Sequence, residues 1–203
     1  MTAPIKIAVF VSGGGTNFQA LIDYEKKGKL RSGVLSLCVS SNPNAYALER
    51  AKAAGIPSVV VSRKECGDQA EFERRILESL EEYGIELIVL AGFMSILSAD
   101  FTRRYDKRIL NVHPSLIPSF CGKGFYGLRV HEEALRYGVK VTGATVHFVN
   151  EIADGGEIIF QKAVAIRKGD TPETLQRRVM EQAEWKLLPR AAEAVAAEIR
   201  KGK

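Results

Sequence analysis

The sequence predicts an α/β protein on a doubly wound, mainly parallel sheet with an antiparallel C-terminal portion. Three observations predict it. Short apolar runs alternate with helical patterns of about 10–15 residues through the first half of the chain. A glycine-rich turn follows the first apolar run at once, as at the mouth of a parallel sheet. Two long β-prone runs flank Asp154-Gly155-Gly156, which suits an antiparallel pair.

The elements follow in order. Residues 5–11 read as a buried first strand, then Ser12-Gly13-Gly14-Gly15-Thr16-Asn17, then a helix through Tyr24. Residues 34–40 give a second strand, and residues 45–54 a helix that Gly55 can close. Residues 58–61 form a short third strand. Residues 69–83 are an amphipathic helix, with Phe72, Ile76, Leu80 and Tyr83 at helical spacing and Gly84 behind them. Residues 86–92 and 108–112 are the fourth and fifth strands. The rhythm then changes to a glycine-bearing loop (119–127), a short helix (129–137) and the β-prone runs 141–149 and 157–165. Residues 172–203 are helical, broken or kinked at Pro189.

A length of 203 residues suits a single domain, 1–203, and no linker, repeat or low-complexity segment divides it. No apolar run approaches the roughly 20 residues that span a bilayer, so no membrane partner is expected. The N-terminus lacks the charged and apolar regions of a signal peptide. Three cysteines without C-x-x-C spacing argue against a disulfide framework and a zinc site, so no metal is expected and the compartment is cytoplasmic. The net charge of +5 suits a small anionic substrate, and the dispersed Lys and Arg do not favour nucleic acid.

The stretch Asn111-Val112-His113-Pro114 leaves the fifth strand. Residues two apart in a strand share a face, so Asn111 and His113 stand together, and Pro114 ends ladder pairing. An amide and an imidazole at a strand's C-terminal mouth could hold an oxyanion and move a proton. They could equally be a capping Asn and a structural His. The turn at residues 12–17 brings backbone N–H groups to a helix N-terminus, where a phosphate binds well. It matches neither G-x-G-x-x-G nor a Walker A loop, and the second strand ends without an acidic residue, so a phosphate monoester fits better than a dinucleotide. An ordinary tight turn with Thr16 as N-cap is the plain alternative. Asp154-Gly155-Gly156 places a carboxylate at a turn whose glycines permit positive φ and close approach; Asp154 could orient His113 and keep it protonated, or sit in an ordinary surface hairpin turn. His147, inside a strand, reads as structural, and His131, beside two glutamates on a helix, as a surface residue. Residues 91–97 could wall a pocket for a flat ring or be plain core.

Together, S-G-x-G-T-N after the first strand, L-A-G-F-M-x-I-L-S, N-V-H-P-S-L-I-P, G-A-T-V-H-F-V and D-G-G resemble the phosphoribosylglycinamide formyltransferases, folate-dependent transformylases of purine synthesis with a Rossmann-like fold. The resemblance runs from Ile5 to about Pro189. It implies formyl transfer from 10-formyltetrahydrofolate, the co-substrate, to the amine of glycinamide ribonucleotide by a monomer or homodimer. By motif it implies that Asn111, His113 and Asp154 are catalytic, and that Gly15, Thr16 and Asn17 bind the substrate phosphate. It also implies that Met94, Ser95, Ile96, Leu97, Asn111, Asn150 and Asp154 line the folate site, and that Glu184 holds the ribose. Ser95 and Gln69 depart from arginines of some relatives, Trp185 replaces a histidine, and one residue is inserted in the helix carrying Glu184. The loop 121–127 is longer than usual, and its Lys123 could reach a substrate phosphate or a folate carboxylate. Methionyl-tRNA formyltransferase would need a further C-terminal domain, and formyltetrahydrofolate hydrolase an N-terminal one. A non-catalytic binding module would not need Asn111, His113 and Asp154 together.

Overall fold

The computed structural model describes residues 3–202. Seven strands form one sheet in the order β3-β2-β1-β4-β5-β6-β7. They are β1 (Ile5–Val11), β2 (Gly33–Ser40), β3 (Ser58–Val60), β4 (Leu87–Leu90), β5 (Ile109–His113), β6 (Val141–Phe148) and β7 (Ile158–Ala165). The first five pair in parallel; β6 runs antiparallel to β5, and β7 to β6.

The alternation of β1 explains the two layers. Ile5, Ile7, Val9 and Val11 face one side, packed with α1 (Thr16–Lys26), α2 (Ala47–Ala54) and α8 (Trp185–Lys201). Ala8 and Phe10 face the other, against Phe72, Ile76 and Leu80 of α4 (Gln69–Tyr83) and Phe101 of α5 (Ala99–Arg104). The short α3 (Arg63–Cys66) leads into α4, and α6 (Leu128–Tyr137) joins β5 to β6. Both sides of the parallel strands are therefore covered, which is why they read as continuous apolar runs.

The C-terminal helix departs from expectation. It does not break at Pro189, which lies inside α8. The irregularity falls one turn earlier: α7 (Pro172–Val179) passes through a π-helical turn, Met180–Glu184, before α8 begins. A π-turn accommodates one residue more than the α-helical turn it replaces. Pro189 also has no N–H for the carbonyl of Trp185, four positions back, where the π-turn ends.

Candidate active site

The strand order reverses direction at β1, whose neighbours are β2 and β4, and ligands of open α/β sheets sit outside the carboxyl ends of strands at such a point. A cavity of about 280 Å³ opens there, lined by Gly13, Gly14, Gly15, Thr16 and Asn17 from the turn, Ala91 and Gly92 beyond β4, and Gln176 and Met180 from the C-terminal helices. Gly15, not Thr16, is the residue before α1, and no side chain caps that helix end. Its φ is +69°, and a Cβ there would lie 2.7 Å from Ala47 Cβ, so glycine is required on both counts. The helix N-terminus thus opens into the cavity with its backbone donors unspent on side chains. A larger cavity, about 400 Å³, lies along the outer face of α1 and shares only Thr16 with this one.

The second half of the site stands at the end of β5. Antiparallel pairing puts Asn111 opposite His147 and His113 opposite Thr145. Asn111 Nδ2 lies 3.2 Å from His147 Nε2, and His147 Nδ1 lies 2.8 Å from the Phe148 carbonyl. His147 therefore donates through Nδ1 and accepts at Nε2, and Asn111 keeps a second N–H. Past Pro114 the chain is pinned to the sheet: Thr145 Oγ1 donates to the Ser115 carbonyl at 2.7 Å and accepts from the Ile117 amide at 3.1 Å.

Asp154 reaches this pair across the β6–β7 connection. Its Oδ2 lies 3.5 Å from His113 Nδ1 and accepts from the Gly122 amide at 2.8 Å, while its Oδ1 lies 3.6 Å from His147 Nε2. The glycines serve the close approach expected of them, since a Cβ on Gly156 would lie 1.8 Å from the Phe148 carbonyl oxygen, but the positive φ of the turn, +55°, falls on Asp154 itself.

The electrostatics also correct the expectation of a protonated His113. Burial pulls the imidazole below its ordinary value; the Asp154 carboxylate and a 2.8 Å bond between His113 Nε2 and the Phe120 carbonyl pull the other way and do not prevail. The resting ring is neutral at pH 7, with Nε2–H donated to Phe120. Asp154 is desolvated, which raises its pKa, but His147, the Gly122 amide and the charge on His113 outweigh that and hold it below the usual range. A fixed carboxylate beside a neutral imidazole is a ready acceptor for a proton, and the spare N–H of Asn111 can meet a developing oxyanion.

Matches with known proteins bear on what this geometry serves. The family model for formyl transferases matches residues 5–192. The chain belongs to the formyl transferase family.

Within that family, phosphoribosylglycinamide formyltransferase of Haemophilus influenzae is 42% identical over 185 residues, covering 91% of this chain and 84% of its own. The trifunctional purine biosynthetic protein adenosine-3 of Gallus gallus is 46% identical over 195 residues, 96% of this chain, but the match spans only 19% of that longer protein. The crystal structure of glycinamide ribonucleotide transformylase 1 from Symbiobacterium toebii superposes with a TM-score of 0.89 at 38% identity, covering 96% of this chain and 89% of the other.

Set in the formyl transferase fold, the expected residues fall into three groups. Asn111, His113 and Asp154 come together at the end of β5, around His147. Gly15, Thr16 and Asn17 line the 280 Å³ cavity, although the Asn17 side chain turns inward and donates to Glu184 Oε2 at 2.7 Å. Met94 and Ile96 are 60% and 80% exposed and are not core, whereas Leu97 is buried. Asn150 is exposed, and its Oδ1 accepts from the Ile152 amide at 2.9 Å, shaping the turn toward Asp154. His147 is the structural residue expected, buried in β6, and the cross-strand register sets it opposite Asn111. One histidine was misread. His131 is not a surface residue: its ring is fully buried on α6 with neither nitrogen hydrogen-bonded, and burial first, then His113, pushes it down to about 4. Its pairing with Val130 and Ala134 on the buried side of α6 was the available signal. Among the described residues no group of three or more His, Cys, Asp or Glu could hold a metal ion, and no helix is long and apolar enough to cross a membrane.

Proposed function

We propose that this protein transfers the formyl group of 10-formyltetrahydrofolate to the amine of glycinamide ribonucleotide, as a single cytoplasmic formyltransferase domain. The observation that carries the reading is the meeting of Asn111, His113 and Asp154 beside a glycine turn shaped for a phosphate monoester. The phosphate sits on the amides of residues 15–17 at the N-terminus of α1. Glu184, behind Asn17, takes the ribose hydroxyls. Asn17 Oδ1 is buried with no partner and would be satisfied by a ligand hydroxyl. The folate ring lies against Met94, Ser95, Ile96 and Leu97, with Asn150 and Asp154 at its far edge.

The amine attacks the formyl carbon, and the carbonyl oxygen becomes an oxyanion that the free N–H of Asn111 stabilises. His113 Nδ1 takes the proton that the amine loses as its bond to the formyl carbon forms, and Asp154, 3.5 Å from that nitrogen, stabilises the imidazolium. A formyl oxygen that uses His113 Nε2 takes that donor from the Phe120 carbonyl. The imidazolium then gives the proton up, by way of Asp154 and water, to the departing folate nitrogen. Collapse of the tetrahedral intermediate breaks the bond to folate and releases tetrahydrofolate.

The test is an absorbance assay for deformylated folate with and without glycinamide ribonucleotide. Turnover only with the ribonucleotide is expected. Turnover without it would make the protein a hydrolase of formyltetrahydrofolate, and none in either case would leave a binding module.

A further inference from the structure

The folate-side loop is held from behind by a carboxylate that no step of the transfer uses. Glu73 on α4 is 7% exposed, and among the described residues no Lys or Arg pairs with it. Its Oε1 accepts from the Ser98 amide at 2.6 Å and from Gln69 Nε2 at 2.6 Å, and its Oε2 accepts from the Ser98 hydroxyl at 2.5 Å. Gln69 Nε2 also donates to the Ile96 carbonyl at 2.9 Å. At the loop's other end the Met94 amide donates to Ser12 Oγ at 2.9 Å, and Ser12 Oγ is itself paired with Ser41 Oγ at 2.6 Å. The backbone is therefore fixed at residues 94, 96 and 98, while Met94 and Ile96 present apolar side chains outward.

Removing a carboxylate from water is costly unless strong donors replace the water. Here the donors are Gln69 Nε2 and Ser98, the latter through both its amide and its hydroxyl, and Gln69 Nε2 links the carboxylate to the Ile96 carbonyl, which accepts from it. Exposed apolar side chains on a backbone braced in this way make a preformed wall, which binds a flat ring without the cost of ordering a loop.

We propose that Glu73, with Gln69, is a positioning residue for the folate wall, setting affinity for the folate and not for the ribonucleotide. The inference rests on the folate reading given above. Glu73 touches no reacting atom, so its effect falls on the shape of residues 94–98.

The test compares Glu73→Gln and Gln69→Ala with the parent in steady-state kinetics, thermal melting and direct titration with tetrahydrofolate. Glu73→Gln keeps the size and loses one acceptor, so about a tenfold rise in KM for 10-formyltetrahydrofolate is expected, with kcat and KM for the ribonucleotide within about twofold. Gln69→Ala should raise the same KM about threefold and leaves Glu73 its two bonds to Ser98. Tetrahydrofolate titration should weaken in parallel. Unchanged folate affinity in a folded variant overturns the proposal, as does an equal rise in both KM values, which would mark general loosening. If Glu73→Gln does not fold, Gln69→Ala decides alone. A parent protein that binds no folate overturns the folate reading itself, and that result appears before any variant is made.

Discussion

Asn17 Nδ2 and Glu184 Oε2 meet at 2.7 Å inside the protein, 167 positions apart in the chain. The first turn of α1 supplies one and the π-turn before α8 the other, so the pair ties the phosphate turn to the C-terminal helix. Burial raises the Glu184 carboxyl from 4.5 to about 7, with the Asn17 bond pulling weakly against it.

The sign of the resulting pH dependence is fixed. A carboxyl with a raised folded pKa binds its proton more tightly in the folded state. Its contribution is complete below about 4.5 and is lost as pH climbs through 7. Glu184→Gln keeps an acceptor for Asn17 and removes the charge. Urea denaturation should find it as stable as the parent near pH 4.5 and up to about 3 kcal/mol more stable at pH 8. Its KM for the ribonucleotide should rise at least tenfold if Glu184 meets the ribose. Identical stability at both pH values would mean the charge is not buried.

His131 imposes the opposite slope. Its ring is buried and pushed down from 6.5 to about 4, so the unfolded chain binds the proton more tightly. Stability is then full above 6.5 and falls as pH drops toward 4, by about 3 kcal/mol. The two groups titrate across one window with contrary signs, so the parent's stability should vary little there. His131→Leu leaves the Glu184 slope uncompensated, so its stability relative to the parent should rise as pH falls from 6.5 toward 4. Parallel profiles for the parent and His131→Leu would show that folding does not lower the proton affinity of this ring.

These pairs show where the sequence stops being legible. Continuous apolar runs and glycine placement were enough for β1, β2, β4 and β5, because both faces of those strands are largely buried and each turn needs particular residues. Asn111 and His113 were readable together because a strand's period of two fixes their common side. Asp154 near His113 was an expectation about distance that only the hairpin β6–β7 could realise. His147 was rightly read as structural, but its place opposite Asn111 was not legible, because register is a property of the pairing. The π-turn was not legible, because Pro189 drew the expected break five positions past its last residue, Glu184.

Asn111→Ala and His113→Ala address the chemistry directly. Each removes a group that acts on the developing oxyanion or on the proton that leaves the amine. Each should lose at least about a hundredfold in kcat with little change in either KM, while circular dichroism shows an intact fold. A near-parental rate in either variant takes that residue out of the mechanism.

His147→Phe separates support from chemistry. Phenylalanine fills the buried site but leaves Asn111 Nδ2 without its acceptor and Asp154 without one of its neighbours. Both groups then gain rotational freedom at the reacting centre. A loss of about ten- to a hundredfold in kcat is expected, smaller than for His113→Ala, with the ribonucleotide KM unchanged. A double variant with Asn111→Ala should lose less than the product of the two single losses, because one interaction is removed twice. Fully multiplicative losses would show that His147 acts through something other than Asn111.

Gly15→Ala tests whether the turn before α1 is shaped for its ligand. Alanine at φ +69° carries a backbone penalty of about 1–2 kcal/mol, and its methyl would press on Ala47. Either the turn shifts or α2 does, and in both cases the amides of residues 15–17 move from the cavity mouth. Gly14→Ala is the matched control: it has no positive φ, and a Cβ there meets nothing within 4 Å. Chemical denaturation should therefore place Gly15→Ala about 2 kcal/mol below the parent, with Gly14→Ala within about 0.5 kcal/mol. If the phosphate sits on those amides, Gly15→Ala should also raise the ribonucleotide KM by at least tenfold and spare the folate KM, because β4 and residues 94–98 do not pass through Gly15. Equal damage to both KM values would place the turn outside the ribonucleotide site.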